Sequence, residues 1–478
     1  MGVIPWRFKS SSPQKVLLKT EPFFLPWRVG EMKKADIIFR NAEVVTVNRN
    51  FDLFHSGAVA VSGNSIAAVG SDSDICREYT AAETVDCGGK ALLPGLVNTH
   101  THLPMNLLRG LSDDRKLDEW LGKYIMPAER LFVNREFCRI GTEMACAELI
   151  RGGVTCFADM YYFEDTVLEA AASAGLRGIG ASTVLMFPSP DSSGADEGLC
   201  IAEDFILRFR EHPLVVPAVG PHAPYTTTPE ILARCAELAR KYDVPVLMHL
   251  AETAGEREDI LKKYGKGVVS YAGDCGLLDT KLVGAHLVHV DREEMKLLAS
   301  HGCGAAFNPG SNLKLVSGFP KITGFLEEGV RTGLGTDGAA SNNDLDMFEE
   351  MRLAALVEKL MTGNPEAVPA RDVLRMATLG GAEALFLDGI TGSLEEGKRA
   401  DLVLVDINTP HNSPCFEHNA DNIYSRLVYA TKSGDVTDVL TDGKWLMRDR
   451  KLLTLDEGEI LAEAGEISRA VSRYFLEN

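Results

Sequence analysis

Residues 93–102 read LPGLVNTHTH, a short apolar stretch that ends in two histidines separated by one residue. The apolar run between a Pro-Gly pair and the histidines predicts a buried strand. Residues two apart in a strand point to the same side, so the imidazoles of His100 and His102 should converge where the strand ends. Two converging imidazoles predict part of a metal site, and the remaining ligands have to come from elsewhere in the chain.

Size and composition narrow the function classes. The chain has 478 residues, a net charge of −19 and ten cysteines without a CxxC pair. This length fits a large barrel with a smaller domain. Because no Lys/Arg-rich run stands out, nucleic-acid binding is not expected, and no apolar run approaches the roughly 18 residues of a membrane helix. The scattered cysteines indicate reduced thiols, so we expect a cytoplasmic protein.

The middle of the chain alternates predicted strands with helical patterns. The predicted strands are Leu96–Thr101, Val154–Ala158, Arg177–Ala181, Val215–Gly220, Pro245–Leu250, Leu282–His286, Gly304–Phe307 and Arg331–Thr336. Eight strands in strict alternation with helices predict an α/β protein with a (β/α)8 TIM-like barrel. We expect residues 94–391 to form this barrel.

Both ends of the chain carry short strands bounded by turn residues. We expect residues 32–93 and 392–455 to pair into one discontinuous small β-sandwich domain. The amphipathic pattern of residues 456–478 predicts a C-terminal helix.

The first 31 residues show no helical or strand period, and their apolar run is too short for a signal peptide. We therefore expect residues 1–31 to be a disordered N-terminal extension, with Met32 as the natural first residue.

Further metal-ligand types close other strands of the predicted barrel. His249 ends the fifth strand, His286 the sixth and Asp337 the eighth, at the barrel face that carries catalytic groups. One histidine at a strand end is more often a surface residue than a ligand, but HxH plus three such residues is a specific pattern. Imidazoles with one carboxylate suit zinc, with iron and manganese as alternatives. The predicted ligands are His100, His102, His249 and Asp337.

Glu252 follows His249 by three residues and is predicted to carry protons rather than bind metal, because a general acid must reach the substrate. His286 is predicted to polarise the attacking water or the developing tetrahedral centre. A simpler interpretation of Glu252 is an exposed loop carboxylate. The fourth strand ends in Pro221 and His222, where a bridging lysine would serve a second metal, so one metal ion is expected.

Four motifs carry a family resemblance: PGLVNTHTH at 94–102, MHLAET at 248–253, AHLVH at 285–289 and GTDGAASNN at 335–343. Together they resemble the amidohydrolase superfamily, in the branch that holds 5-methylthioadenosine/S-adenosylhomocysteine deaminases and triazine hydrolases. The resemblance runs from about Ala35 to the C-terminus. It implies one zinc ion and the hydrolytic release of ammonia from an aminated heterocycle.

The resemblance also implies roles for individual residues. Glu252 and His286 match the proton-handling pair, and Asp337 would both touch the metal and accept a proton. Glu129 matches a carboxylate that binds the ribose hydroxyls. The alternative for Glu129 is a salt bridge with Arg130 or Lys123. His222 matches a substrate-contacting histidine, and Glu252 and Asp337 would also contact the substrate.

One position departs from the family pattern. Relatives that bind the homocysteine tail carry an arginine where an ungapped comparison puts Ser182. We therefore expect adenosine or 5-methylthioadenosine as a substrate before S-adenosylhomocysteine. A guanine, pterin or triazine ring is the alternative, and a non-catalytic binding barrel is a third hypothesis. The expected partner is a small-molecule substrate, and a homo-oligomer is left open.

Overall fold

The computed structural model describes residues 32–416, 419 and 421–477, so the predicted N-terminal extension lies outside the described residues. The strands are β1 Lys33–Val45, β2 Leu53–Ser62, β3 Ser65–Ser71, β4 Tyr79–Asp86, β5 Lys90–Pro94, β6 Leu96–Thr101, β7 Val154–Tyr161, β8 Arg177–Val184, β9 Val215–Pro221, β10 Pro245–Leu250, β11 Lys281–His286, β12 Gly304–Phe307, β13 Arg331–Leu334, β14 Leu402–Asp406, β15 Val436–Thr441, β16 Lys444–Arg448 and β17 Lys451–Leu452.

Helices cover most of the connections between these strands. The α-helices are α1 Asp72–Glu78, α2 Leu117–Trp120, α3 Met126–Phe132, α4 Arg135–Arg151, α5 Glu164–Ala174, α6 Ala195–Phe209, α7 Pro229–Tyr242, α8 Ala254–Tyr264, α9 Val268–Asp274, α10 Arg292–Ser300, α11 Pro309–Lys314, α12 Ile322–Glu327, α13 Ala339–Asn342, α14 Met347–Thr362, α15 Ala370–Met376, α16 Leu379–Ala384, α17 Asn422–Ser425 and α18 Glu457–Glu477. Short 3₁₀ helices lie at Leu103–Leu108, Pro224–Thr226 and Ser433–Asp435, and π-helical turns at Leu121–Ile125 and Arg426–Ala430.

Strands β6 to β13 lie side by side in chain order and form a parallel, nearly closed barrel. The last strand returns to the first, where the Asp337 amide donates to the His100 carbonyl at 2.9 Å. Small and branched residues such as Val97, Ala181 and Ala218 fill the interior, as expected for the layered core of such a barrel. The predicted (β/α)8 barrel is confirmed.

The chain passes from the small domain into the barrel at Gly95. Pro94 still pairs with Leu402 of β14, and β6 begins one residue later at Leu96. A Cβ atom at position 95 would lie 1.9 Å from Oγ1 of Thr155. The close approach of the two segments therefore requires glycine, and it ties the start of β6 to its neighbour.

The two chain ends build one mainly antiparallel sheet in the order β17-β16-β15-β14-β5-β1-β2-β3, with β4 added to β1. Phe39 on β1 and Trp445 on β16 are far apart in this order, yet their ring centroids are 5.5 Å apart. The sheet therefore folds over onto itself, which confirms a discontinuous small β domain with a sandwich-like core.

A buried ion pair joins the two domains at the base of the barrel. Arg177, the first residue of β8, donates from Nε to Asp401 at 2.8 Å and from Nη2 to Asp442 at 3.0 Å. Helix α18 is tied to α4 by Arg139 and Glu463 at 3.0 Å. Within the described part of the chain, no helix combines the length and the apolar character that crossing a membrane requires.

Candidate active site

The side chains predicted as metal ligands meet at the carboxyl ends of their strands. His102 Nε2 lies 3.1 Å from His249 Nε2 and 3.2 Å from Asp337 Oδ1, and His100 Nε2 lies 3.6 Å from the same carboxylate oxygen. Two overlapping groups bring ligand atoms within 4.8 Å of one another: His100, His102 and Asp337 form one, and His100, His249 and His286 the other. Five side chains from the ends of four strands, two of them from β6, therefore share one centre.

Hydrogen bonds orient these imidazoles toward that centre. His102 donates from Nδ1 to the Met160 carbonyl at 2.7 Å, and His249 donates from Nδ1 to the His222 carbonyl at 2.8 Å. Each Nε2 lone pair therefore points inward, the usual arrangement of a metal-binding histidine. The buried Nε2 of His100 has no protein partner among the described residues. This donor set fits a divalent metal ion.

Three of the four predicted ligands have the protonation states that metal binding needs, and His102 is the exception. Burial opposes protonation of His102, but Asp337 outweighs burial and raises the pKa of His102 to about 9, so a metal ion would have to displace that proton. Burial lowers the pKa of His100 to about 4 and holds the pKa of His249 well below its usual value, so both imidazoles are neutral at pH 7. Burial opposes ionisation of Asp337, but the adjacent imidazoles of His100 and His102 outweigh it and hold the pKa of Asp337 well below its usual value. Neutral imidazoles and an ionised carboxylate are the ligand forms a divalent metal takes.

The backbone turns sharply where the strands end. Ala251, His286, Leu287 and Asp337 have φ values of 53°, 73°, 50° and 63°. Non-glycine residues rarely adopt this left-handed conformation, and it persists where surrounding contacts enforce it. One such contact is the hydrogen bond from the Leu287 amide to the Leu250 carbonyl at 3.0 Å.

The predicted proton carriers lie beside the metal-ligand centre. Glu252 is only 6% exposed, and its Oε2 lies 4.0 Å from His286 Nε2. The other carboxylate oxygen, Oε1, accepts a hydrogen bond from Ser317 Oγ at 3.0 Å. The Glu252 amide donates to Glu256 Oε2 at 3.0 Å. Glu252 is thus a held and buried group, not the exposed loop carboxylate of the simpler interpretation.

The segment after the seventh strand contacts His286 and Asp337 as well as Glu252. No role for this segment was predicted from the sequence. Asn312 Nδ2 donates to His286 Nδ1 at 2.9 Å, and Ser311 Oγ donates to Asp337 Oδ2 at 2.6 Å. Ser341, after the eighth strand, donates to the same Asp337 oxygen at 2.9 Å. The polar run NPGSN at 308–312, directly after a buried strand, was the available signal.

A cavity of about 780 Å³, its open mouth included, opens above these groups. Its wall includes Glu129 and His222, both predicted to contact substrate. Glu129 accepts a hydrogen bond from the Tyr161 hydroxyl at 2.8 Å, and burial raises the pKa of Glu129 to about 7. Apolar side chains form the outer wall: Met105, Leu117, Trp120, Leu121, Ile125, Met126 and Leu315.

Ser182 does not reach this cavity. Thr183 on β8 and Leu185, the residue after β8, line the wall instead. Among the described residues, no arginine or lysine lines the cavity. The wall can therefore accept a polar heterocycle and an apolar substituent, but it offers no fixed cation for a carboxylate.

The chain matches known proteins along most of its length. Residues 91–446 match a family model described as the amidohydrolase family. A 5-methylthioadenosine/S-adenosylhomocysteine deaminase from Syntrophobacter fumaroxidans is 43% identical over 438 residues, which cover 92% of this chain and 99% of that protein.

Solved structures agree with this match. A zinc-bound adenosine deaminase from Xanthomonas campestris superposes with a TM-score of 0.90 at 37% identity, covering 92% of this chain and all of that one. A zinc complex of an atrazine chlorohydrolase from Arthrobacter aurescens superposes with a TM-score of 0.82 at 25% identity, covering 90% and 100%.

Proposed function

This chain belongs to the amidohydrolase family, and on that premise we propose that it is a zinc-dependent hydrolytic deaminase of adenosine-like nucleosides. It is a hydrolase that acts on C–N bonds other than peptide bonds. The single observation that supports a nucleoside substrate is the buried carboxylate of Glu129, which lines the same cavity as the proton carriers Glu252 and His286. The names of the relatives point to the same substrate class.

His100, His102, His249 and Asp337 would hold one zinc ion. The unpartnered Nε2 of His100 and the inward Nε2 atoms of His102 and His249 support this assignment. When bound, zinc supplies the activation of a water molecule as a nucleophile near neutral pH.

The protein groups handle the protons of the reaction. Glu252 Oε2 delivers a proton to the ring nitrogen beside the amine-bearing carbon, because Oε1 is already occupied by Ser317. His286 accepts an amide hydrogen bond at Nδ1, so its Nε2–H donates to the oxygen that adds to this carbon. Asp337 takes the proton of the attacking water. Asp337 then passes this proton to the amine nitrogen and the C–N bond breaks. The hydroxyl on the same carbon returns its proton to Glu252 as the carbonyl forms and ammonia leaves.

The cavity wall supports a choice among nucleosides. Glu129 would accept the ribose hydroxyls, and the apolar wall would cover the ring and a small thioether substituent. S-adenosylhomocysteine carries an amino-acid carboxylate, and burying a charge without a partner is costly. Adenosine and 5-methylthioadenosine are therefore the preferred substrates.

An ammonia-release assay tests this function on adenosine, 5-methylthioadenosine, S-adenosylhomocysteine, guanine and cytosine. We expect kcat/KM for the first two to exceed that for S-adenosylhomocysteine by at least about tenfold, equivalent to about 1.4 kcal/mol. Equal or better turnover of S-adenosylhomocysteine would contradict the proposed preference. Release of ammonia from guanine alone, or of chloride from an added chlorotriazine, would favour the alternative ring classes.

The pKa of Glu129 predicts how substrate binding depends on pH. With a pKa of about 7, this carboxyl is mostly protonated one unit below that pH and mostly ionised one unit above it. The ionised form accepts both ribose hydroxyls, so KM for adenosine should fall up to about tenfold as pH rises from about 6 to about 8. The measurement is KM against pH in the parent and in Glu129→Gln.

Glu129→Gln should raise KM and remove most of this pH dependence, because the amide does not titrate in this range. Glu136→Gln, at an exposed position of α4, is the matched control and should keep the parent profile. A Glu129→Gln variant whose KM still falls with pH as in the parent would exclude Glu129 as the source.

A further inference from the structure

Ser317 lies after α11, in the segment that follows the seventh strand of the barrel, and its side chain contacts the proton carrier Glu252. Both side chains are buried, at 8% and 6% exposure. The hydroxyl donates to Glu252 Oε1 at 3.0 Å, while Oε2 lies toward His286 Nε2 at 4.0 Å. The two oxygens of one carboxyl group are therefore distinguished: one is held by the protein and the other is left for the substrate.

Ser317 is itself held from several directions. Its amide donates to the Asn312 carbonyl at 3.0 Å, and its carbonyl accepts from His289 Nε2 at 2.8 Å. The His289 amide in turn donates to the carbonyl of Ala251, the residue before Glu252, at 2.9 Å. The donor and the carboxyl group that it contacts therefore belong to one continuous network.

The backbone around Ser317 adopts an unfavourable conformation to maintain this placement. Val316 has a φ of 56° and is 84% exposed. A β-branched residue in the left-handed region is an outlier, and no burial of its side chain compensates. Gly318 follows at φ 118°, where a Cβ atom would lie 2.7 Å from the Val288 side chain. Strain of this kind persists at functional sites where surrounding contacts enforce it.

We propose that Ser317 is a positioning residue that holds Oε1 of Glu252 so that the transferable proton resides on Oε2, facing the ring nitrogen. A carboxyl group free to rotate would present the proton in the reactive direction only part of the time. The hydroxyl contacts neither the metal ligands nor the cavity space, so its removal should affect proton transfer more than substrate binding. This inference rests on the proton-carrier role assigned to Glu252 in the proposed function.

The test compares Ser317→Ala, Ser317→Cys and Ser317→Thr with the parent, using whichever heterocycle of the panel the parent hydrolyses. We expect Ser317→Ala to lower kcat by about 10- to 100-fold with KM within about twofold of the parent. Ser317→Thr keeps a hydroxyl and should recover most of the activity. Ser317→Cys keeps nearly the same side-chain volume but offers only a weak hydrogen-bond donor, so its kcat should be as low as that of Ser317→Ala. If Ser317→Ala does not fold, the kcat of Ser317→Cys tests the proposal.

Melting temperature and zinc content are measured alongside the kinetics. The matched control is Ser300→Ala, because Ser300 is an exposed residue of α10 whose hydroxyl donates to the Leu297 carbonyl of the same helix. Parent-like kcat in both Ser317→Ala and Ser317→Cys would overturn the proposal. So would an increase in KM with unchanged kcat, or a Thr variant as slow as Ala. A parent that hydrolyses a triazine but no nucleoside contradicts the proposed function while leaving the Ser317 comparison valid.

Discussion

Replacing Glu252 by Gln is expected to lower kcat by about 10²- to 10⁴-fold while the protein keeps its metal. The amide has nearly the same shape and can still contact Ser317, but it cannot give a proton to the ring nitrogen. Glu252 Oε2 lies 4.0 Å from His286 Nε2, and within the described part of the chain the Glu252 side chain makes no hydrogen bond or ion pair with a predicted metal ligand. Ammonia release and zinc content, measured on the same preparation, separate loss of the acid from loss of the metal.

The matched control is Glu258→Gln, which makes the same chemical change at an exposed position of α8. It should leave kcat within about twofold, because exposed substitutions away from the site rarely matter. Parent-like turnover by Glu252→Gln would eliminate Glu252 as the acid. A loss of zinc equal to the loss of turnover would instead make Glu252 part of the metal site.

The parts of the fold that follow from local pattern could be predicted from the sequence. β6, β10 and β12 have the predicted bounds, because each is a short apolar run between turn residues. The convergence of His100, His249 and Asp337 could also be predicted, since parallel strands of one barrel end at the same rim. These inferences need only periodicity and topology.

The contacts that hold the proton carriers could not be predicted in the same way. Ser317 and Glu252 are 65 residues apart in sequence, and Asn312 and His286 are 26 apart. Serine and asparagine are common in loops, and no spacing rule relates them to a carboxylate on another strand. The left-handed backbone at Val316 is equally hidden, because propensity alone argues against it. Such sites are where local sequence rules are expected to fail.

The ends of two barrel strands also could not be predicted from the sequence, because they are determined by pairing with a neighbouring strand. β7 and β8 extend to Tyr161 and Val184, beyond the predicted Ala158 and Ala181. The two extensions pair with each other, Tyr161 opposite Ser182. Thr183, the residue after Ser182 on β8, lines the cavity, and Ser182 does not.

Replacing His249 by Ala is expected to remove the metal and with it essentially all activity. His249 ends β10 with Nδ1 held by the His222 carbonyl and Nε2 3.1 Å from His102 Nε2. Loss of a supporting residue outside the ligand shell already costs about 10- to 100-fold in metal affinity, so loss of a ligand should cost more. Metal analysis after dialysis against a weak chelator measures this directly.

Thermal unfolding with and without added zinc provides the second readout. A metal that binds only the folded state stabilises it, by about 4 kcal/mol at a thousandfold excess over Kd. The chelator-treated parent should therefore melt at a higher temperature when zinc is restored, and His249→Ala should not. The matched control is His301→Ala, because His301 is an exposed residue whose Nδ1 lies 3.3 Å from Asp279 Oδ1, outside the candidate site. A His249→Ala protein with a full equivalent of zinc would contradict the ligand role of His249. The zinc would then have to be bound by His100, His102, Asp337 and His286, whose imidazole also lies within reach of the centre.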